Sequence, residues 1–169
     1  AFNGTTDESL EKTPRRGLHP PTTTATGLGR ETDLYTRAIE ATNQLGAAFA
    51  ITCGDLVHNH DNPAQHAELA RITAQLRDDI PMHWVAGNHD VTNDPTHESI
   101  ANYRERFGPD FYSFDREDSP FVVLNSTVWQ RPKNVPDELE KQIEFLSSDL
   151  RDAREAGADN TGLFTHHPP

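Results

Sequence analysis

Apolar residues follow two alternating patterns along this chain. Spacing near 3.6 residues, which predicts amphipathic helices, extends over about Glu31 to Leu45, Pro63 to Asp79, Pro95 to Phe107 and Pro136 to Ala156. Short apolar runs, which predict strands buried in a sheet, occur at AAFAITCGD, MHWVAG, FYSFD, PFVVLNS and TGLFTHHPP. Helices and strands are therefore expected to alternate from residue 31 onward.

Residues that favour helix and turn boundaries support this assignment. Gly46 is a natural stop for the first helix, and Asn62 with Pro63 forms a typical N-cap and first helical position. The stretch from Ala1 to Arg30, rich in Thr, Pro and Gly, is predicted to be a long loop. The last helix is expected to bury one apolar side, formed by Leu139, Ile143, Phe145, Leu146 and Leu150.

The order of elements predicts the fold class. Helices between strands favour crossover connections, so we expect an α/β fold with a mainly parallel central sheet flanked by helices. The 169 residues suffice for one core and contain no repeat, so we predict a single domain over residues 1–169. Folds of this class bind ligands beyond the carboxyl ends of their strands.

Composition narrows the range of functions. With 34% hydrophobic and 25% charged residues, the chain is typical of soluble globular proteins, and no apolar run approaches the roughly 18 residues of a membrane span. A net charge of −12 counts against nucleic acid as a partner. The single cysteine, Cys53, excludes an internal disulfide framework and a thiolate-rich zinc site. The compartment is left open.

Three predicted strands end in polar clusters, GDLVHNH, GNHD and THHPP. Asp55 offers a carboxylate that can bridge two cations, while Asn88 offers an amide oxygen and His166 an imidazole nitrogen. His89 has a side chain of a type that moves protons near neutral pH. This mixture of oxygen and nitrogen donors suits Mn, Fe or Zn better than Ca.

Each cluster taken alone also has an ordinary structural explanation. Gly-Asp and Gly-Asn pairs are common in turns, and His58 or His60 can simply decorate a loop. His83 alternates with apolar neighbours, which favours a packing role. A serine hydrolase based on Ser126 is disfavoured because no glycine-flanked nucleophile elbow surrounds that residue.

The three clusters in this order resemble the calcineurin-like metallophosphoesterase family, whose blocks include GDxx(D/H/N), GNH(D/E) and HxP. The resemblance extends from about Glu31 to Pro169. It implies a four-layer α/β/β/α fold in the intact family. It also implies hydrolysis of phosphate mono- or diesters at a dinuclear centre, with a bridging hydroxide as nucleophile and a small molecule or a phosphoprotein as substrate.

The resemblance assigns roles to individual residues. It implies that Asp55 bridges two divalent metal ions, Mn, Fe or Zn, that Asn88 binds the second ion and that His166 is a further ligand. His89 corresponds to the proposed general acid or transition-state stabiliser.

Three more residues are expected to contact the ligands without binding the metal themselves. They are His58, Asp90 and His167. Many relatives carry an acid that orients the catalytic histidine at the place of His58, so the resemblance does not identify the group that orients His89.

Two blocks expected from the family are not found. An opening strand ending in DxH or DxQ and a closing GHxH-like block do not occur in the sequence, and we therefore expect a fragment cut at both ends. These differences leave an alternative open, in which the chain is a metal-poor, non-catalytic module that uses the same fold to bind a protein.

Overall fold

The computed structural model describes residues 29–117 and 119–168. The predicted N-terminal loop lies outside the described residues except at its end. There the first helix begins at Gly29, two residues before the predicted start at Glu31.

Helices and strands alternate along the described chain, which confirms the predicted α/β class. In chain order, the elements are α1 (Gly29–Leu45), β1 (Ala50–Cys53), α2 (Pro63–Thr73), β2 (Met82–Val85), α3 (Asn88–Val91), α4 (His97–Phe107), β3 (Tyr112–Arg116), β4 (Ser119–Val123), α5 (Ser126–Gln130), a 3-10 turn (Pro132–Asn134), α6 (Pro136–Glu155) and β5 (Gly162–Phe164).

The strands of the described residues form two sheets. In the first sheet, β1 pairs with β2 in parallel, with Ala50 opposite Met82. The second has the order β3-β4-β5, in which β3 and β4 are antiparallel and β4 and β5 are parallel. Strand pairing is therefore mainly parallel, as predicted. Between the sheets, the ring of Phe49 packs edge-on against Phe114 and Phe121, each with a centroid distance of 5.2 Å.

The hydrophobic core anchors the segments that leave β1 and β2. Leu56 and Val57 directly follow Asp55 in the segment after β1, and they are 2% and 0% exposed. On the other segment, Ala86 and Val91 flank the second polar cluster and are both 0% exposed. Because these apolar side chains are fixed in the core, the polar residues next to them on both segments have little freedom to move.

Two predicted boundaries are wrong. Helix α2 ends at Thr73 rather than Asp79, because the Asn43 side chain of α1 binds the backbone that follows it. The Asn43 amide nitrogen donates to the carbonyl of Gln75 at 2.8 Å, and its oxygen accepts the N–H of Arg77 at 2.9 Å. The strand predicted as PFVVLNS ends at Val123, because Asn125 instead caps α5.

The predicted buried side of α6 is only partly correct. Leu139, Phe145 and Leu146 are half-buried, whereas Ile143 and Leu150 are each 44% exposed. The most deeply buried residues of this helix are polar. Glu138 forms an ion pair with Arg104, and Gln142 accepts hydrogen bonds from the Asn125 backbone and the Trp129 indole. Specific tertiary partners therefore determine which side of α6 is covered.

Candidate metal centre

Three strand ends meet at one edge of the molecule. Since β1 and β2 are parallel, Cys53 and Val85 lie opposite each other at their carboxyl ends, and Asp55 and Asn88 follow close behind. From the other sheet, β5 leads into His166. The site therefore takes residues from both sheets.

Glycine is required at two positions for these segments to approach each other. A Cβ atom on Gly54 would lie 2.4 Å from the Nδ1 atom of His166, and one on Gly87 would lie 2.2 Å from the backbone nitrogen of Asp55. Gly54 also has a φ of +80°, a conformation that other residues rarely adopt. Asp55 itself has a φ of 52°, which aspartate tolerates better than most residues.

The contacts of His166 define the state of its two ring nitrogens. Nδ1 lies 2.9 Å from the carbonyl oxygen of Cys53, which can only accept, so Nδ1 carries the hydrogen. Nε2 lies 3.1 Å from Oδ1 of Asn88 and 3.3 Å from Oδ1 of Asp55. In a neutral ring, Nε2 then presents a lone pair to two oxygen acceptors. A cation, either a proton on the ring or a metal ion, is needed to make this arrangement favourable.

The donor set fits a divalent transition metal. A hydrogen bond from Nδ2 of Asn88 to Oδ1 of Asn93, at 2.7 Å, fixes the orientation of the Asn88 amide. The amide oxygen therefore faces His166. A histidine that donates from one nitrogen to a backbone carbonyl and offers the other nitrogen is typical of metal ligands. Asp55, Asn88 and His166 thus bring together a carboxylate oxygen, an amide oxygen and an imidazole nitrogen, which are donor types that such a cation accepts. The second cation of the expected pair remains a prediction.

His89 lies beside this group and is held at two points. Its backbone N–H donates to Oδ1 of Asp55 at 3.1 Å, and its Nδ1 atom lies 2.8 Å from the carbonyl oxygen of His58. Since a carbonyl only accepts, Nδ1 donates, and Nε2 is the nitrogen that makes no hydrogen bond within the described residues. The rings of His58 and His89 are 4.9 Å apart. The group that orients His89 is therefore the backbone of His58, which the sequence did not reveal.

The buried carboxylate of Asp90 forms hydrogen bonds with both the loop after β1 and the loop after β2. It is 5% exposed and accepts hydrogen bonds from the backbone N–H groups of Gly87 at 2.8 Å, Leu56 at 3.2 Å and Val57 at 3.3 Å. Burial raises the pKa of its carboxyl to about 6, although the three N–H donors act in the opposite direction. Asp90 therefore shapes the site without facing the ligand atoms.

His167 supports the third segment. Its backbone N–H donates to Oγ of Ser126 at 2.8 Å, and its ring lies 4.6 Å from that of His166. Burial lowers the pKa of the His167 imidazole, and the neighbouring His166 lowers it further. The hydroxyl of Ser126 is buried as an acceptor for this backbone, an arrangement that fits a structural role better than a nucleophilic one.

A second group of metal-ligand types lies elsewhere. Among the described residues, His97, Asp137 and Glu138 are the one group of three or more His, Cys, Asp or Glu whose ligand atoms lie within 4.8 Å of one another. Lys141 already contacts both carboxylates, at 2.9 Å from Asp137 and 2.7 Å from Glu138. A cation here would have to displace an ammonium group, so the group is better explained as an ion-pair network.

None of the helices in the described part of the chain has the length and apolar character required to cross a membrane.

Comparisons with known proteins agree with the motifs. The family profile described as Calcineurin-like phosphoesterase matches residues 27–169. The chain is similar to serine/threonine-protein phosphatase CPPED1 of Homo sapiens, with 31% identity over 145 residues, 82% of this chain and 46% of that protein. Its identity to the protein of the same name from Bos taurus is 33% over 145 residues, with the same coverage of 82% and 46%. The chain spans about half the length of the curated relatives it matches.

Proposed function

Because the chain belongs to the calcineurin-like phosphoesterase family, as the motifs at its strand ends predicted, we propose that it catalyses the metal-dependent hydrolysis of phosphate esters. The observation that carries the proposal is a group of three acceptor atoms, Nε2 of His166 with Oδ1 of Asn88 at 3.1 Å and Oδ1 of Asp55 at 3.3 Å from it. Such a group requires a cation, and these donor types match a divalent transition metal.

Asp55, Asn88 and His166 would hold the metal, which we expect to be Mn, Fe or Zn. A pair of divalent cations, when bound, supplies a hydroxide nucleophile near neutral pH and neutralises the phosphate oxygens. Three donors are few for two cations, so the dinuclear form of the centre requires further ligands. With the chain at a net charge of −12, local cations also explain how a phosphate ester is attracted.

His89 would protonate the leaving oxygen. Its Nδ1–H is engaged with the carbonyl of His58, so the proton that it gives to the leaving oxygen is the one on Nε2 of the doubly protonated ring, which then returns to the neutral Nδ1–H form. A proton donated to an alkoxide leaving group is worth about 10²–10⁴-fold in rate. Asp90 and His167 would act indirectly, by fixing the loops that carry Asn88, His89 and His166.

For the substrate, we propose a phosphate mono- or diester, either a small molecule or a phosphoprotein. The name of the CPPED1 relatives, serine/threonine-protein phosphatase, makes phosphoserine and phosphothreonine peptides the first class to test. Neither a membrane nor a nucleic acid is expected as partner.

The test measures metal content and Mn-stimulated hydrolysis of an aryl phosphate and a phosphoserine peptide by the full chain, with His166→Ala as the variant. We expect the variant to lose both bound metal and hydrolysis. His97→Ala is the matched control, since it removes an exposed imidazole of the other metal-ligand group. Wild-type protein that binds no metal and shows no hydrolysis would instead favour the non-catalytic binding module.

A further inference from the structure

We propose that Gln65 is a positioning residue that holds the ring of His89 by fixing the backbone of His58. Gln65 lies on α2 and is 4% exposed, so its side-chain amide is buried beneath the loop that follows β1. Its side-chain oxygen bonds to the loop backbone at His58 and Asn59 rather than to the candidate ligands. The proposal rests on the proposed function only in its kinetic consequence, because the contacts themselves concern the orientation of His89.

Gln65 accepts a pair of hydrogen bonds from the loop that follows β1. Its Oε1 atom accepts the backbone N–H of His58 at 3.0 Å and that of Asn59 at 2.9 Å. One oxygen of a buried residue therefore fixes two consecutive peptide groups at His58 and Asn59, which are exposed. Because the residues on each side of its carbonyl are both held, the His58 carbonyl has little freedom to rotate.

The His58 carbonyl in turn contacts the ring of His89. The His58 oxygen accepts Nδ1–H of His89 at 2.8 Å. The hydrogen-bonding partner of one imidazole nitrogen determines which nitrogen carries the proton and which way the ring faces. Gln65 thus acts on His89 through a single intervening residue, and Nε2 of His89 is left as the nitrogen that can take up a proton and pass it to the leaving oxygen.

The base of α2 makes this anchor rigid. Asn62 caps the helix, and its side chain accepts the N–H groups of Ala64 at 3.0 Å and Gln65 at 3.3 Å. The helix start, the buried amide and the loop therefore form one hydrogen-bonded unit. The imidazole of His58 makes none of these bonds, since the residue contributes only its backbone N–H and carbonyl.

Three variants separate the role of Gln65 from that of the His58 side chain. Gln65→Met keeps the volume and removes the acceptor. Gln65→Glu keeps an oxygen acceptor in either protonation state and serves as the conservative rescue. His58→Ala keeps the backbone groups and removes the ring.

The first readout is the tautomer of His89, measured on the full chain by ¹⁵N–¹H correlation of histidine rings, with His89→Gln identifying the resonances. We expect the Nδ1–H form in the wild type, in Gln65→Glu and in His58→Ala, and a mixture with the Nε2–H form in Gln65→Met. An unchanged tautomer in Gln65→Met would overturn the proposal, as would a loss of the Nδ1–H form in His58→Ala. A thermal melt of Gln65→Met shows whether the spectrum reports a folded chain. If it is unfolded, the same comparison is made with Gln65→Leu at a lower temperature.

The second readout is kinetic. Gln65→Met should lower kcat about 10- to 100-fold on an alkyl phosphate and less than 5-fold on a nitrophenyl phosphate, with KM unchanged, because only the alkyl leaving group needs a positioned acid. Equal losses on both substrates would overturn the positioning role. If the wild type hydrolyses neither substrate, the proposed function fails, while the tautomer measurement still tests Gln65.

Discussion

At His166, a single ring connects the backbone of one sheet to the acceptor atoms of two loops. Nδ1 donates to the Cys53 carbonyl, while Nε2 faces Oδ1 of Asn88 and of Asp55. The negative charge of Asp55 is therefore important at this site, since a carboxylate attracts a cation much more strongly than an amide does.

We predict that Asp55→Asn will bind Mn at least tenfold more weakly than the wild type and lose nearly all hydrolysis. The asparagine keeps an oxygen that can accept the N–H of His89, so the loop should keep its shape while the negative charge is lost. Isothermal titration with Mn and elemental analysis provide the measurement. Equal metal content in this variant and the wild type would exclude Asp55 as a ligand.

A second prediction at the residue scale concerns His89. His89→Ala should retain bound metal but lose about 100-fold or more in kcat on alkyl phosphates, because the leaving oxygen then lacks its acid. Aryl phosphates need little protonation and should lose less than tenfold. Steady-state kinetics on the two ester classes provide the comparison. If both classes decline equally, His89 has an electrostatic or structural role instead.

At the scale of elements, the ends of β1 and β2 form the site because no side chains intervene between the segments that follow them. Gly54 lies against the His166 ring and Gly87 against the backbone of Asp55. The backbone at Gly54, just after β1, is therefore coupled to the position of His166, the candidate ligand that follows β5.

We predict that Gly54→Ala will lower both stability and Mn affinity. Its Cβ would meet the His166 ring at 2.4 Å, and its φ of +80° adds a cost of about 1 kcal/mol or more. Gly46→Ala is the matched control, since Gly46 has a φ of +62° with no atom within 4 Å of the added Cβ. The control should lose about 1 kcal/mol without losing metal. Equal Mn affinity in the two variants would contradict the close packing of Gly54 and His166.

At the scale of the whole molecule, buried polar side chains join α4, α5 and α6. Arg104 forms ion pairs with Asp110 at 2.7 Å and with Glu138 at 2.5 Å, and the amide of Asn125 donates to Asp110 at 2.8 Å. Glu138 also receives Lys141 at 2.7 Å. Burial opposes ionisation of Glu138, but the hydrogen bonds from Arg104 and Lys141 outweigh it and lower the pKa of its carboxyl.

We predict that Glu138→Gln will lower the free energy of unfolding by about 1–3 kcal/mol at pH 7, because Arg104 loses a charged partner. The lowered pKa means that the unfolded chain binds this proton more readily, so the stabilisation is present above a pH of about 4.3 and lost as the pH falls below it. Urea unfolding measured between pH 7 and pH 3 should therefore show that the free energy of unfolding falls less with decreasing pH in the variant than in the wild type. Parallel pH profiles for variant and wild type would contradict this assignment.

The sequence by itself determined the class of fold and the identity of the motifs. Helical spacing and short apolar runs depend on residues close together in the chain, and for this reason α4, β2 and the Asn62 cap of α2 could be predicted. The GD, GNHD and HHPP motifs were sufficient to predict the family for the same reason. The extent of the domain over residues 1–169 stays a prediction, as do the roles of the site residues.

Only the tertiary structure decided which groups meet. The end of α2 depends on Asn43 of another helix, and the orientation of His89 depends on a backbone carbonyl, which every residue type provides. The hydrogen bond from His166 to Cys53 joins residues 113 positions apart. Such partners carry no signal in a local pattern, because backbone donors and acceptors are the same at every position and packing alone determines which of them come within bonding distance.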